Sequence, residues 1–206
     1  MHFVNNMRAD LANFKTADIL VAVIIAVVAR VYALFGSPAA NAWLQAMGPV
    51  GQFLATFAIG ILYFILILAA VIRGNFVVVW VAAVLMAVIR ILTGDPFGPV
   101  ALQAYLVGGF TGWAAFSVMG NRHSFLGWMV AAWWFSMGVD FVFYTFYIAP
   151  APILGSVQMG WFMTVVVYRI ILGIVMGALL KPVADALYRT SVLRGIVRRP
   201  TGAAAA

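Results

Sequence analysis

Residues 50–72, VGQFLATFAIGILYFILILAAVI, form an apolar run of 23 residues that contains no charged side chain. A helix of about 20 apolar residues is long enough to cross the hydrocarbon core of a bilayer. Five other stretches have the same character. The six predicted spans are Ala17–Phe35, Val50–Ile72, Asn75–Leu92, Pro99–Met119, Phe125–Ala149 and Gly160–Leu180. Because lipid offers the backbone no hydrogen-bond partners and no alternating barrel pattern occurs, the sequence predicts an all-α membrane protein with six transmembrane helices.

The composition agrees with that fold class and excludes several functions. Of 206 residues, 66% are apolar and 8% are charged, whereas a soluble domain carries about 25% charged residues. We therefore exclude a water-soluble globule, a disordered segment and a nucleic-acid-binding domain. Cysteine is absent, so the chain has no disulfide framework and no thiolate metal site.

The basic residues outside the spans indicate the orientation of the chain. They fall on one side of a six-helix path, and the three loops on the other side contain none. These residues are Arg8, Lys15, Arg73, Arg122, Lys181, Arg189, Arg194, Arg198 and Arg199. Because Lys and Arg concentrate on the cytoplasmic side of membrane proteins, we predict that both termini are cytoplasmic and that the net charge of +7 reflects topology and contact with anionic lipid.

Three regions follow from this pattern. Residues 1–16 form a cytoplasmic amphipathic segment, residues 17–181 the six-helix domain and residues 182–206 a basic amphipathic tail. In the first region Phe3, Met7, Leu11 and Phe14 share one helical face. In the tail, Pro182 suits the first turn of a separate helix. Each amphipathic end is interpreted as lying in the membrane interface, or alternatively as docking on a partner.

Four charged residues lie well inside the predicted spans, namely Arg30, Arg90, Asp140 and Arg169. None lies deep in the cytoplasmic half of its span, and Arg169 lies near mid-depth. Asp18 lies at the cytoplasmic mouth, where we expect water to reach it. Charges within a bilayer are costly and usually face a cavity or one another. We therefore predict a polar cavity that opens to the outside. The alternative is an Asp140–Arg169 pair that only holds helices together, beside an aromatic belt.

Aromatic and polar residues near the same ends complete the predicted pocket. Asp140, Tyr144 and Tyr147 share one face of the fifth span. An aromatic enclosure with a few polar groups is typical of a small-molecule site. The full predicted substrate-binding set is Arg30, Trp43, Arg90, Asp95, Gln103, Tyr105, Asp140, Tyr144, Tyr147, Trp161 and Arg169.

A stripe of small residues marks the first span. Ala22, Ala26, Ala29 and Ala33 recur on one helical face, and Gly108/Gly112 and Gly173/Gly177 form GxxxG pairs. Such faces allow helices to approach closely, usually within one chain. The alanine stripe equally suits a docking face for another membrane protein.

Catalytic motifs are missing. The sequence contains no GxxxxGK[ST], and HExxH is impossible because Glu is absent. His123 beside Ser124 is a weak signal for a hydrolase, since no GxSxG is present. We therefore expect a protein that is not an enzyme.

Residues 92–99, LTGDPFGP, resemble the LxGxPxGP turn of the hydroxymethylpyrimidine/thiamine (YkoE-like) subfamily of S components, the substrate-binding membrane subunits of energy-coupling factor (ECF) vitamin importers. Residues 169–173, RIILG, and 177–187, GALLKPVADAL, add to this resemblance. The resemblance covers most of the chain from the first span to Gly195. It implies an S-component-like bundle in a prokaryotic cytoplasmic membrane.

The resemblance also implies partners. An S component captures its ligand from outside under loops 1 and 3, and docks through small residues of its first span, here Ala22 and Ala26, on a T component. Two cytoplasmic ATPases drive that T component, so ATP is used by the partners and the S component needs no cofactor or metal of its own. The missing nucleotide motif fits this division of labour.

The ligand is a point of departure from the subfamily. Thiamine-binding S components generally use a buried carboxylate, and this chain has Arg90 where we expect one. Three arginines oppose two aspartates in the outer half, which disfavours a cationic ligand. The resemblance implies thiamine or hydroxymethylpyrimidine as the ligand. Because Arg binds carboxylates and phosphates through paired hydrogen bonds, the charges instead predict an anionic amphiphile such as haem, a vitamin carboxylate or a phosphorylated thiamine precursor. The alternative functions are a stand-alone secondary transporter and an intramembrane enzyme.

Overall fold

A computed structural model describes residues 2–36, 38–39, 42–43, 46–119, 124–143 and 166–189, and within these all side chains except those of residues 2–3, 48–57 and 59. The regular secondary structure of this part of the chain is entirely helical. The helices are α1 (His2–Ala12), α2 (Thr16–Val31), α3 (Gly48–Arg73), α4 (Val77–Leu92), α5 (Gly98–Val118), α6 (Phe125–Phe143) and α7 (Tyr168–Arg189), and α2 continues into a π-helical turn, Tyr32–Gly36.

Each of the six predicted spans overlaps one helix, from α2 to α7. Thr16–Gly36, Phe125–Phe143 and Tyr168–Arg189 are long and apolar enough to cross a membrane, and Gly60–Arg73 and Val77–Leu92 are shorter apolar helices. These helices support a membrane protein. Six crossings and cytoplasmic termini stay predictions.

Turn chemistry explains where the helices end. Gly74 has φ of 64° at the end of α3, and its N–H donates to the Ala70 carbonyl at 2.7 Å. Gly94 has φ of 73° in the turn after α4. Because glycine has no Cβ, it adopts this left-handed conformation at no steric cost. Prolines in the first turns of α3 and α5 fit positions where the backbone N–H needs no helical partner.

Glycines bring α5, α6 and α7 into close contact. A Cβ on Gly138 of α6 would lie 2.8 Å from the Gly108 Cα on α5, and a Cβ on Gly173 of α7 would lie 2.9 Å from the Met129 carbonyl oxygen on α6. The helix pairs therefore pack backbone against backbone at these points. Both predicted GxxxG pairs serve packing within the chain.

The alanine stripe on α2 also faces the interior. Ala22, Ala26 and Ala29 are fully buried, and Ala33 is half-buried. The opposite face of α2 is the exposed one, with Leu20 at 62%. This placement corrects the docking interpretation of the stripe, because side chains covered by α3 and α4 of the same chain offer no surface to a partner.

Both amphipathic ends pack on the bundle. Helix α1 lies against α5 of the same chain, and its place in the membrane interface stays a prediction. Helix α7 runs through Pro182 to Arg189 instead of ending there, so the separate tail helix is not seen among the described residues. Its last turns are held because the Tyr188 hydroxyl donates to the Val71 carbonyl at 2.8 Å and Ala184 is buried.

Candidate functional site

Two arginines on different helices meet at one carboxylate. Arg30 on α2 donates through Nη1 to Asp95 Oδ2 at 3.1 Å, and Arg90 on α4 donates through Nε to the same oxygen at 2.9 Å. Arg30 Nη2 also donates to Thr93 Oγ1 at 2.9 Å. We call Arg30, Arg90, Thr93 and Asp95 the arginine cluster. In the sequence, Arg30 is 65 residues from Asp95 and 63 residues from Thr93. The packing of the helices, rather than local sequence, therefore brings the cluster together.

The turn after α4 is built to present Asp95. The Phe97 N–H donates to Asp95 Oδ1 at 3.0 Å, and the Gly98 N–H donates to the Asp95 carbonyl at 2.9 Å. These bonds and the left-handed Gly94 fix the carboxylate over the two guanidinium groups. An Asp side chain that accepts a backbone N–H two residues later is a common turn-forming device.

The charge of Asp95 is stabilised by these contacts. Partial burial raises the pKa of a carboxyl group, but hydrogen bonds from Arg90, the Phe97 N–H and Arg30 outweigh this effect and lower the pKa of Asp95 below its ordinary value. Asp95 is therefore ionised at neutral pH. The arginine cluster then contains two positive charges and one negative charge.

A second ion pair lies deeper in the same end of the bundle. Arg169 on α7 donates through Nε to Asp140 Oδ2 on α6, and both residues are buried. The Tyr63 hydroxyl on α3 donates to Asp140 Oδ1 at 3.1 Å, and the Arg169 guanidinium lies 5.6 Å from the centroid of the Tyr63 ring. The Asp140–Arg169 contact that the sequence raised as an alternative is therefore present.

Tyr105 on α5 connects the two groups. Its side chain is 2% exposed. It lies close to Arg90 and within electrostatic range of Asp140 and Arg30. The structure thus brings together Arg30, Arg90, Asp95, Tyr105, Asp140 and Arg169, all six at one end of the bundle, which we call the arginine end.

The remaining predicted site residues divide into two sets. Trp43 is 68% exposed and Gln103 lies on the exposed side of α5. Tyr144, Tyr147 and Trp161 lie outside the described residues. The aromatic enclosure of the pocket therefore stays a prediction.

Sequence reasoning missed Tyr63 and Thr93, which bond the predicted charges. Tyr63 lies inside the predicted span 50–72, and the side chains next to it in the sequence are apolar. Its hydroxyl is the feature that could have drawn attention to it. A hydroxyl in hydrocarbon needs a partner, so the sequence could have marked Tyr63 as a hydrogen-bonded residue, although not as the partner of Asp140 in particular.

The opposite end of the bundle also buries charges, which the sequence analysis did not predict. Asp18 is 1% exposed, and Arg73 Nε donates to its Oδ1 at 2.5 Å. Asp10 on α1 accepts a bond from Trp113 Nε1 at 3.0 Å, while its carbonyl accepts one from Asn75 Nδ2 at 2.7 Å. We call this the α1 end. Asp18 is therefore not open to water, because Arg73 and the packed helices enclose it.

Within the described ranges, no three His, Cys, Asp or Glu side chains lie close enough together to hold a metal ion. The arginine end combines guanidinium and phenol groups with the carboxylates of Asp95 and Asp140, and guanidinium groups bind oxyanions.

No protein-family model matches this sequence, and no curated protein matches it. Among solved structures, the chain is similar to a protein described as an S-component of ECF transporter, with a TM-score of 0.65 and 25% sequence identity. The similarity covers 89% of this chain and 90% of that one. A likeness over nearly the full length of both chains cannot come from one shared helix pair. The chain therefore has the fold of an ECF transporter S component.

Proposed function

We propose that this protein is the substrate-binding membrane subunit of an ECF importer. The observation that carries the proposal is the S-component fold over 89% of the chain, together with six polar residues gathered at one end of it. The subunit captures a small molecule outside and delivers it inward when docked on a T component. Two cytoplasmic ATPases hydrolyse ATP for it, so the chain needs no cofactor of its own.

The proposed orientation puts the arginine end outside and both termini in the cytoplasm. Arg8, Lys15 and Arg189 are exposed near the α1 end, which agrees with the excess of basic residues on cytoplasmic surfaces. In this arrangement α2 to α7 are the six membrane crossings of a prokaryotic cytoplasmic membrane protein. Residues 1–16 and 182–206, which precede and follow the substrate-binding domain in the sequence, both lie at the cytoplasmic surface.

We propose that the ligand contacts the arginine end. Arg30, Arg90, Asp95, Tyr105, Asp140 and Arg169 supply its polar contacts. The exposed or undescribed members of the predicted set, Trp43, Gln103, Tyr144, Tyr147 and Trp161, supply the enclosure. Three arginines against two aspartates leave a net charge of +1, which favours an anionic amphiphile such as haem over thiamine or hydroxymethylpyrimidine.

Docking on the T component requires a surface other than the buried alanines. Of the four predicted docking residues, Ala33 is half-buried and the other three are enclosed within the chain. A partner that approaches α2 would meet the face that carries Leu20, Ile24 and Val28.

Co-purification from the native host tests the assignment to a transporter class. An S component brings down a T component and two ATPases, and its purified form alone does not transport in liposomes. A chain that transports alone in liposomes is a secondary carrier, and this result would contradict the proposal. An intramembrane enzyme would turn over its ligand, which product analysis detects.

Titration of the purified protein tests the ligand. We expect haem to bind more tightly than thiamine or hydroxymethylpyrimidine, and Arg90→Gln to weaken haem binding about tenfold or more, because it removes one charge-assisted contact. Arg8→Gln, which changes an exposed arginine at the α1 end, is the matched control and should leave binding unchanged. Nanomolar thiamine binding would overturn the anionic ligand and leave the S-component proposal intact.

A further inference from the structure

The arginine cluster is incompletely neutralised. Within the part of the chain that the structure describes, Arg30 and Arg90 share the single carboxylate of Asp95. Both guanidinium groups address one oxygen, Oδ2, while Oδ1 accepts the Phe97 N–H. Asp95 thus offers one oxygen to the two arginines. Each guanidinium group could instead bind two oxygens through paired hydrogen bonds.

Arg30 retains donor capacity in a buried position. The residue is 7% exposed, and no described residue accepts a hydrogen bond from its Nε. An unsatisfied charged donor is costly in a buried site. An oxyanion with several oxygens would satisfy it better than the shared Asp95 oxygen does.

The backbone that carries Asp95 differs from the backbone that carries its two arginines. Arg30 and Arg90 lie on two packed helices, whereas Asp95 belongs to the short turn between α4 and α5. The side chains of Asp95 and Arg90 are 16% and 17% exposed, and that of Arg30 is 8% exposed. A partly exposed carboxylate on a turn recovers its hydration when it leaves the arginines, whereas Arg30 stays buried on α2.

We propose that Asp95 is a built-in counter-ion that stands in for the oxyanion of the ligand. In the structure it bridges Arg30 and Arg90. A carboxylate or phosphate group of the ligand then takes over both guanidinium groups, and the turn Thr93–Gly98 moves away with Asp95. This inference rests on the proposed function. It assigns to that site a ligand with an oxyanion group, and it changes the role of Asp95 from a polar contact of the ligand to a residue that competes with it.

The absence of cysteine makes the movement measurable. Phe97 is 58% exposed in the same turn, so Phe97→Cys can be labelled at a single position with an environment-sensitive thiol dye. The labelled protein is placed in nanodiscs of zwitterionic lipid and titrated with hemin, inorganic phosphate and thiamine. We expect a dye signal with hemin or with phosphate and none with thiamine.

Asp95→Asn tests the competition. This isosteric change removes the negative charge that competes with the probe, so we expect hemin or phosphate to bind about tenfold or more tightly and the dye signal to shrink. Asp185→Asn is the matched control, because Asp185 pairs with Lys181 far along the chain at the end of α7 and should leave affinity unchanged. Unchanged or weaker oxyanion binding by Asp95→Asn would overturn the proposal.

The remaining outcomes are also decisive. If Asp95→Asn does not fold, the labelled protein with native Asp95 still tests the movement, and silence with every oxyanion overturns the inference. A dye signal that appears only after phosphatidylglycerol is added identifies a lipid headgroup as the anion and overturns a solute site. Co-purification with a T component does not depend on Asp95. If the chain co-purifies with a T component but the dye gives no signal, the counter-ion role of Asp95 is rejected and the assignment as an S component is kept.

Discussion

The two ends of the helical bundle both bury charges, but they enclose them differently. At the α1 end a whole helix covers the polar groups, and Asp18 and Arg73 form a one-to-one pair with side-chain exposures of 1% and 7%. At the arginine end a short turn covers them, and Asp95 and Arg90 retain exposures of 16% and 17%. The first end is covered by a packed helix, and the second is covered by a short turn.

The difference shows that burial alone does not identify a ligand site. Asp18 is more deeply buried than any charge of the arginine cluster, yet its carboxylate is already satisfied by Arg73 and by the Lys15 N–H at 2.6 Å. The arginine cluster instead has more donors than acceptors. An unbalanced set of charges under a small cover is the better indication of a place where a ligand binds.

The largest expected effects come from breaking one buried ion pair at each end. Asp18→Asn and Asp140→Asn each leave an arginine buried without its counter-charge, which costs about 3–5 kcal/mol. Thermal unfolding in detergent should therefore show similar losses for both variants. Ligand binding should separate them, because only Asp140 belongs to the arginine end.

A double variant controls for the loss of stability. Asp140→Leu with Arg169→Met replaces the pair by apolar groups of similar volume, which is often neutral or stabilising. We expect the double variant to recover most of the melting temperature but not ligand binding. Full binding by this variant would remove Asp140 and Arg169 from the proposed site.

A smaller effect is expected from the contact that holds α1 over its end. Trp113→Phe removes the indole N–H that donates to buried Asp10, and an acceptor left short of its donor costs about 1–3 kcal/mol. Limited proteolysis should then cleave near α1 more rapidly than in the native protein. Trp134→Phe is the control, because Trp134 is 37% exposed and its ring contacts only the tilted ring of Trp133 among the ring contacts described for it. Equal protection of α1 in both variants would contradict a holding role for Trp113.

The helices and the grouping of charges were predictable from sequence, because both depend on patterns that repeat within one element. Long apolar runs give the positions of α2 to α7, and the alternating direction of successive helices puts Arg30, Arg90, Asp140 and Arg169 at one end. The individual partners were harder to predict. Tyr63 and Asp140 are 77 residues apart, and a single sequence contains no signal that joins them.

The alanine stripe and Asp18 show why two predictions from the sequence were wrong. A small-residue face looks the same whether it packs on α4 or on another protein, so only the coordinates distinguish the two. Asp18 near a span end looks solvated unless one knows that the last residue of α3, Arg73, reaches it. In both cases the missing information is which helix lies alongside.

The smallest expected effect is the pH dependence of the Asp95 contact. Because hydrogen bonds from Arg90, Phe97 and Arg30 lower the pKa of Asp95 below its ordinary value of 3.8, this carboxylate stabilises the fold fully above about pH 4 and loses that contribution as the pH falls through its lowered pKa. The melting temperature of the native protein should therefore exceed that of Asp95→Asn at pH 6, and the difference should narrow as the pH approaches 3. Asp185→Asn removes a more exposed pair and should give a difference of less than about 1 kcal/mol at pH 6. A gap between native protein and Asp95→Asn that stays constant down to pH 3 would mean that ionised Asp95 is not bound by the two arginines, and the turn would then resemble the surface of α7 more than the buried pair at the α1 end.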